Sequence, residues 1–469
     1  MPLHFHVENL GKIKSGNFTI CPLTVITGPN GTGKSFFTKT IYSIFKVMEQ
    51  ATTLKSIRIL TTDLLEYADT LEEFYNENEG LREKLFLHDT INHQVLIDVF
   101  EQVRTILQDP SLDESSIRRK IKILLDDKFK DITLNAFANE KPEDKLIESV
   151  EDSVKLLITN IALQITIIRM FCYTDGETTN HSAANYILKC DLPDELIHNF
   201  QIDNIGELLS ADKSTIQLDQ YFNMELFYNK VVTKTEDTCV DFFVNRPSAV
   251  FFESPAYWRV RDALIDAKLS SGDEFLSGVP KYFFDLNSDL SKRSTNKSNF
   301  EKISNNLENE LGGEFIFERG KFYFNDNNQN KRISKNLVSF GMTNLGILNA
   351  LIKNNVIQKD SYVFIDEPET NLHPDWQVLM IKSLVSLAQE GVNIILNTHS
   401  TEILKYIEIA FNKIKNNEGE DTVKELLAVN YLDVDGETLE FDSDCPVEQA
   451  KEALSHLSSP FFDLYMQGQ

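Results

Sequence analysis

The chain has 469 residues, 42% of them hydrophobic and 25% charged, and a formal net charge of −26. That length can bury several domains' worth of core, while the charge repels nucleic acid as a whole, so DNA contact would need a local basic patch. The same charge excludes ready attraction to an anionic membrane surface. Five cysteines (Cys21, Cys172, Cys190, Cys239 and Cys445) are never spaced CxxC, which fits a reducing cytosol with neither disulfide frame nor zinc site. Residues 1–14 are polar and mixed, unlike a signal peptide. The expectation is a cytoplasmic protein without a membrane segment.

Residues 4–7 and 17–20 predict two strands joined by a Gly- and Lys-rich turn over 11–16. Residues 23–27 predict a buried strand. There follows Gly28-Pro29-Asn30-Gly31-Thr32-Gly33-Lys34-Ser35, which satisfies GxxxxGK[ST], and then a helical run over 36–47. Strand, glycine loop and helix are the context this pattern requires. Glycines let backbone N–H groups turn inward around phosphates, and the helix N-terminus adds partial positive charge there. Lys34 is placed to reach the β- and γ-phosphates of ATP, and Ser35 to hold Mg²⁺.

From residue 49 glycine and proline become sparse, and apolar residues recur at helical spacing: Leu64, Leu65 and Ala68, then Leu96, Val99, Phe100 and Val103. The reading is a helical insertion over 49–245, without heptads or repeats. The most apolar run, 156–168, is interrupted by Asn160 and Gln164, closed by Arg169, and too short to span a bilayer. Arg118, Arg119, Lys120 and Lys122 form the densest basic cluster, read as a solvated helix face.

Strand character returns at 248–252, and two alternating runs at 314–317 and 321–324 predict a hairpin. Residues 361–365 form a largely apolar strand running into Asp366-Glu367-Pro368, and 375–389 an amphipathic helix. A buried strand at 393–396 ends in Asn397-Thr398-His399-Ser400. Buried strands alternating with helices predict a mostly parallel α/β sheet. Asp366 would then sit at a strand's carboxyl end, where ligands of such sheets bind, and help hold Mg²⁺. Glu367 would orient or deprotonate an attacking water, and His399 would contact the γ-phosphate. A last hairpin is expected to turn at Asp435-Gly436, which assigns Asp433-Val434-Asp435 to a turn rather than to a metal-dependent nuclease.

The order of these segments resembles the ABC-type ATPases, in particular their RecF/SMC/OLD-like branch. Asp366-Glu367-Pro368-Glu369-Thr370-Asn371-Leu372-His373-Pro374 looks like the OLD-like ATPases common in bacterial defence against phages. The motif matches cover about residues 1–50 and 335–405. The resemblance implies an ABC-type P-loop ATPase head, with a mixed sheet and flanking helices, divided into residues 1–48 and 246–469 by the insertion. It implies ATP and Mg²⁺ at the interface of a homodimer or higher oligomer. Ser339 and Gly341, in Val338-Ser339-Phe340-Gly341-Met342, would reach the nucleotide of the other copy; Phe340 and Met342 depart from the family's signature. A decoy at 269–274 looks more like the signature but lies too far before Asp366. The family's glutamine has three candidates, Gln201, Gln217 and Gln220. The chain is similar to the ATPase subunits of the PARIS (AriA) and Septu (PtuA) defence systems, which implies a separate nuclease effector and no nuclease domain in this chain. The alternatives are a RecF/SMC-like DNA-repair ATPase and, third, the motor of a membrane transporter.

Overall fold

The computed structural model describes residues 2–51, 54–77, 93–109, 112–129, 150–172, 180–235, 248–253, 256–271, 276–291, 298–318, 321–327 and 329–467. The first elements are β1 (Leu3–Leu10), β2 (Ile13–Ile20), β3 (Leu23–Thr27) and α1 (Lys34–Ala51). Helices α2 (Leu54–Glu77), α3 (His93–Gln108), α4 (Glu114–Phe129), α5 (Val150–Phe171) and α6 (Asn180–Phe200) follow. Then come β4 (Ser214–Leu218), β5 (Phe222–Leu226), β6 (Val231–Thr235) and β7 (Ala249–Phe252). Next are α7 (Ala256–Ser271), α8 (Lys281–Ser291), α9 (Glu301–Leu311), β8 (Gly313–Glu318), β9 (Lys321–Asp326) and β10 (Lys331–Ser334). The chain ends with α10 (Phe340–Lys353), β11 (Tyr362–Asp366), α11 (Pro374–Gln389), β12 (Asn393–Asn397), α12 (Thr401–Glu418), α13 (Glu420–Leu426), β13 (Leu427–Tyr431) and α14 (Pro446–Gln467). Two units emerge: residues 1–49, 187–236 and 242–469 form one, and 50–186 with 237–241 the other.

The first unit holds three sheets. One is parallel, in the order β13-β3-β12-β11-β7. Its strands β3, β7, β11 and β13 are buried at every position, as near-continuous apolar runs require when both faces are covered. The second is antiparallel, β2-β1-β4-β5-β6, and the third is the small meander β10-β9-β8. Helix α1 is apolar on more than one side because it contacts two sheets. Phe37 stacks on Phe18 of β2 with ring centroids 3.9 Å apart. Further along, Tyr42 lies 5.3 Å from Phe251 of β7, and Phe45 4.4 Å from Tyr362 of β11.

The helical reading of 49–245 fails near its C-terminal end. Residues 214–235 form β4–β6, and β4 pairs with β1 from Phe5↔Leu218 to Glu8↔Thr215. The alternation was present in the sequence: Ile216 and Leu218, then Phe222, Met224 and Leu226, are buried while Gln217 and Asn223 are exposed. Scarcity of glycine and proline outweighed a period-2 pattern that only sheet pairing uses. The expected turn over 11–16 is also tighter, because β2 starts at Ile13 and pairs back through Leu10↔Ile13. After β13, which is parallel to β3, the turn at Gly436 closes a single bridge, Leu432↔Thr438, rather than a full hairpin.

The second unit is helical as expected. Leu64, Ala68 and Leu71 of α2 are buried, as are Leu96, Val99, Phe100 and Val103 of α3 and Ile158, Ile161 and Ile165 of α5. Phe100 stacks on Phe129 with centroids 6.0 Å apart. In the basic cluster on α4, Arg119 and Lys120 are exposed, but Arg118 is buried, so the face is only partly solvated. No described helix is long and apolar enough to cross a membrane.

Candidate functional site

The parallel register decides what meets at the sheet's carboxyl edge. Asp366 pairs with Asn397, and Asn397 with Ile26. The loop after β3, the acids after β11 and the histidine after β12 therefore converge. They border a cleft of about 280 Å³. It is lined by Asn30, Gly31, Gly33, Lys34, Ser35 and Phe36, by Lys12, and by Asp366, Glu367, Asn397, Thr398 and His399.

The loop's glycines answer two constraints. Gly28, Gly31 and Gly33 have φ of 137°, 75° and 115°, where a Cβ is strained. At Gly28 a Cβ would also lie 2.1 Å from the carbonyl oxygen of Leu432, because Leu432 N–H donates to Thr27 O beside it. Gly28→Ala is expected to cost about 2–5 kcal/mol from backbone strain and overpacking, measured by urea unfolding; an unchanged midpoint would contradict this packing.

Lys34 Nζ donates to the carbonyls of Gly28 at 2.9 Å and Pro29 at 2.7 Å. Burial pulls its pKa below the ordinary lysine value, and the charges of Asp366, Glu367 and Glu369 push it back up. Thr32 Oγ1 donates to Pro29 O at 3.1 Å. Gly28, Pro29 and Thr32 thus shape the loop from behind, while Asn30, Gly31, Gly33, Lys34 and Ser35 face the cleft.

Asp366 is buried, and Asn397 Nδ2 donates to its Oδ1 at 3.0 Å and to Thr38 Oγ1 at 2.8 Å. Burial raises the Asp366 pKa above the ordinary aspartate value; hydrogen bonds from Asn397 and Ser35 and the charge of Lys39 oppose the rise, and Glu253 adds to it. A carboxyl that binds protons more readily when folded loses stabilisation as pH rises from the ordinary aspartate range through its raised value. Asp366→Asn is therefore expected to raise the melting temperature of the protein at neutral pH. Scanning calorimetry reads the shift, and a lower melting temperature would contradict the burial argument.

Glu367 is held in the left-handed region at φ 49°, its N–H donating to Asn397 O at 3.1 Å. A non-glycine residue there costs about 1–2 kcal/mol. The turn leaves the side chain 51% exposed, with Oε1 3.8 Å from His399 Nδ1. His399 leaves β12 just before Ser400, whose Oγ caps α12 by accepting from Ile403 N–H at 3.2 Å.

Ser339 and Gly341 are not brought to this cleft. Ser339 is exposed at the N-terminus of α10, with Oγ accepting from Met342 N–H at 3.3 Å. Gly341 is buried: a Cβ there would lie 2.9 Å from Trp376 and 3.0 Å from Asn371 O. Of this segment the side chain of Phe340 lies outside the described residues, as do residues 272–275 of the decoy. Asp433 and Asp435 accept from their own turn, from Val434 N–H at 2.7 Å and Glu437 N–H at 3.0 Å.

Several residues escaped the sequence reading. Lys12 borders the cleft from the β1–β2 turn, its Nζ 3.5 Å from where a Gly31 Cβ would stand; its only sequence signal is the Gly- and Lys-rich turn over 11–16. None of Gln201, Gln217 and Gln220 borders the cleft, and Gln201 Nε2 donates to His198 O at 2.7 Å. The strand beside β11 is followed by Glu253, which Lys39 meets at 3.2 Å and to which the Tyr282 hydroxyl donates. Asn397, which the sequence marks only as the end of a strand, ties Asp366 to Thr38 of α1.

The family described as AAA ATPase domain matches residues 3–404. No curated protein matches the chain. Among solved structures, an SMC head domain from Thermotoga maritima aligns at 11% identity and TM-score 0.26, covering 49% of this chain and 80% of that one. An Smc head domain with an extended coiled coil, bound to the C-terminal domain of ScpA, from Pyrococcus furiosus aligns at 9% identity and TM-score 0.30, covering 97% and 100%. An Smc head domain with a coiled coil and joint from Pyrococcus yayanosii aligns at 10% and 0.31, with the same coverage. Overlaps this low add nothing to the site's chemistry.

Proposed function

The chain belongs to the AAA ATPase domain family, and from that membership and the geometry of the cleft we propose that it hydrolyses ATP with the residues gathered at the sheet edge. Its fold is that of an ABC-type P-loop ATPase, a mixed α/β architecture with a parallel sheet and flanking helices. The observation that carries the reading is the meeting of loop 28–35, Asp366, Glu367 and His399 around one cleft.

In this reading the loop amides hold the β- and γ-phosphates, and Lys34 Nζ turns from the loop carbonyls to the phosphate oxygens. Lys12 offsets charge at the loop's outer side. Mg²⁺ would be held by Ser35 and Asp366, where it neutralises phosphate charge. A hydroxyl beside a buried carboxylate fits that cation, as does Asn397 Oδ1, which is buried with no protein partner and can accept from a bound water. Glu367 takes the proton of the attacking water as its oxygen bonds to the γ-phosphorus and the bond to ADP breaks. His399 donates to the γ-phosphate from the far side of the loop.

Ser339, at the exposed N-terminus of a long helix, suits an anion brought by a second copy. We therefore place two heads around the nucleotides, closing on ATP and opening after hydrolysis. By the resemblance of residues 366–374 to OLD-like ATPases, and of the chain to AriA and PtuA, that movement controls a separate effector, a nuclease, in antiviral defence.

Phosphate release from ATP by the purified chain, compared with Lys34→Ala, tests the enzymatic half; equal rates would overturn it. Co-expression with the neighbouring gene product tests the effector half. Failure to co-purify in every nucleotide state would overturn that.

A further inference from the structure

Glu369 lies two residues beyond Glu367 and occupies a different environment. Its side chain is 10% exposed, against 51% for Glu367. Oε1 accepts from Thr398 Oγ1 at 2.8 Å and from the His399 backbone N–H at 3.1 Å. The same oxygen lies 3.5 Å from His399 Nδ1, nearer than Glu367 Oε1 at 3.8 Å. Oε2 is buried with no hydrogen-bond partner.

A buried carboxylate is costly unless charge or hydrogen bonds compensate it. Here the two accepted bonds both come from the segment that carries His399 out of β12. The carboxylate thus fixes the backbone beneath the imidazole and faces one of its ring nitrogens. A carboxylate on one ring nitrogen sets the tautomer and orientation of the other. With Nδ1 turned to Glu369, Nε2 is on the opposite side of the ring, and His399 borders the cleft. The exposed Glu367 is then left free to meet water, so the two acids divide the work by environment.

We infer that Glu369 is a positioning residue: it clamps the Thr398–His399 backbone and keeps a proton on His399 Nδ1, so that Nε2 is presented to the terminal phosphate. This rests on the ATPase reading above. The 3.5 Å separation is longer than a formed hydrogen bond, and it shortens in the nucleotide complex.

The test is a double-mutant cycle in the full chain, with Glu369→Ala and Glu369→Gln each made alone and with His399→Ala. Glu369→Ala is expected to lower kcat about 10- to 100-fold, as removal of a ligand-orienting partner does, with ATP Kd changed by less than about twofold. In the His399→Ala background it should change kcat by less than about twofold, since coupled residues are not additive. Glu369→Gln keeps the acceptor oxygen, guards against a folding defect, and should fall between. Equal losses in both backgrounds overturn the inference, because Glu369 would then act without His399. The second readout needs no turnover, so a chain that proves inactive sinks the ATPase reading and leaves this one decidable. In ¹⁵N-labelled protein the His399 ring signals, identified by their loss in His399→Ala, should show a protonated Nδ1 that Glu369→Ala loses and Glu369→Gln keeps only in part. An unchanged ring pattern in both variants overturns the assignment.

Discussion

Glu367→Gln is expected to bind ATP as the unaltered chain does and to release phosphate about 10²- to 10⁴-fold more slowly, the range a general base contributes. The amide keeps the size and an acceptor for the Thr370 hydroxyl, which meets Glu367 Oε2 at 3.4 Å, but it cannot take a proton. The backbone argues for the role as well. Glu367 occupies the left-handed region at φ 49°, a strained turn that places its side chain on the cleft beside His399. Because hydrolysis is what would separate two closed heads, the variant should double its mass by light scattering on ATP addition. Turnover at the unaltered rate would remove Glu367 as the base. A blocked turnover without any mass change would keep the base and sink head closure.

Lys34→Ala is expected to cost about 2–5 kcal/mol of ATP binding, the loss seen when one partner of a buried charge pair is truncated, or at least about thirtyfold in Kd. Three effects add. The phosphates lose a cation, and the site keeps Asp366, Glu367 and nearby Glu369, whose charges now act on Lys34 and would otherwise repel the ligand. The loop itself also loses the donor to its Gly28 and Pro29 carbonyls. Calorimetric titration with ATP and Mg²⁺ reads the effect, and an unchanged Kd would take Lys34 out of the site.

How far the sequence could be read differed by residue. Loop 28–35 was fully legible because its chemistry is contiguous: three glycines at positive φ, a lysine that reaches back over its own loop, and a hydroxyl at the first turn of the helix. The acids at 366 and 367 and the histidine at 399 were legible because each follows a short apolar strand, and strand ends in a parallel sheet share an edge. The β4–β6 strands were missed, although Ile216, Leu218, Met224 and Leu226 alternate, because only pairing with β1 distinguishes that pattern from a polar helix. Gly341, expected at the nucleotide of a second copy, packs within its own chain against Asn371 and Trp376, a contact that its local sequence does not record.

The sequence by itself therefore determined the family, the glycine loop between strand and helix, and which strand ends carry acids and a histidine, since those depend on neighbours a few residues apart. The tertiary structure decided which side chains stand beside them: Lys12 beside Gly31, Glu253 near Asp366, Asn397 between Asp366 and Thr38, and Glu369 against the His399 backbone. Each of these depends on strand register or loop approach between segments far apart in the chain, as the pairing of Asp366 with Asn397 illustrates, and local spacing carries no record of it.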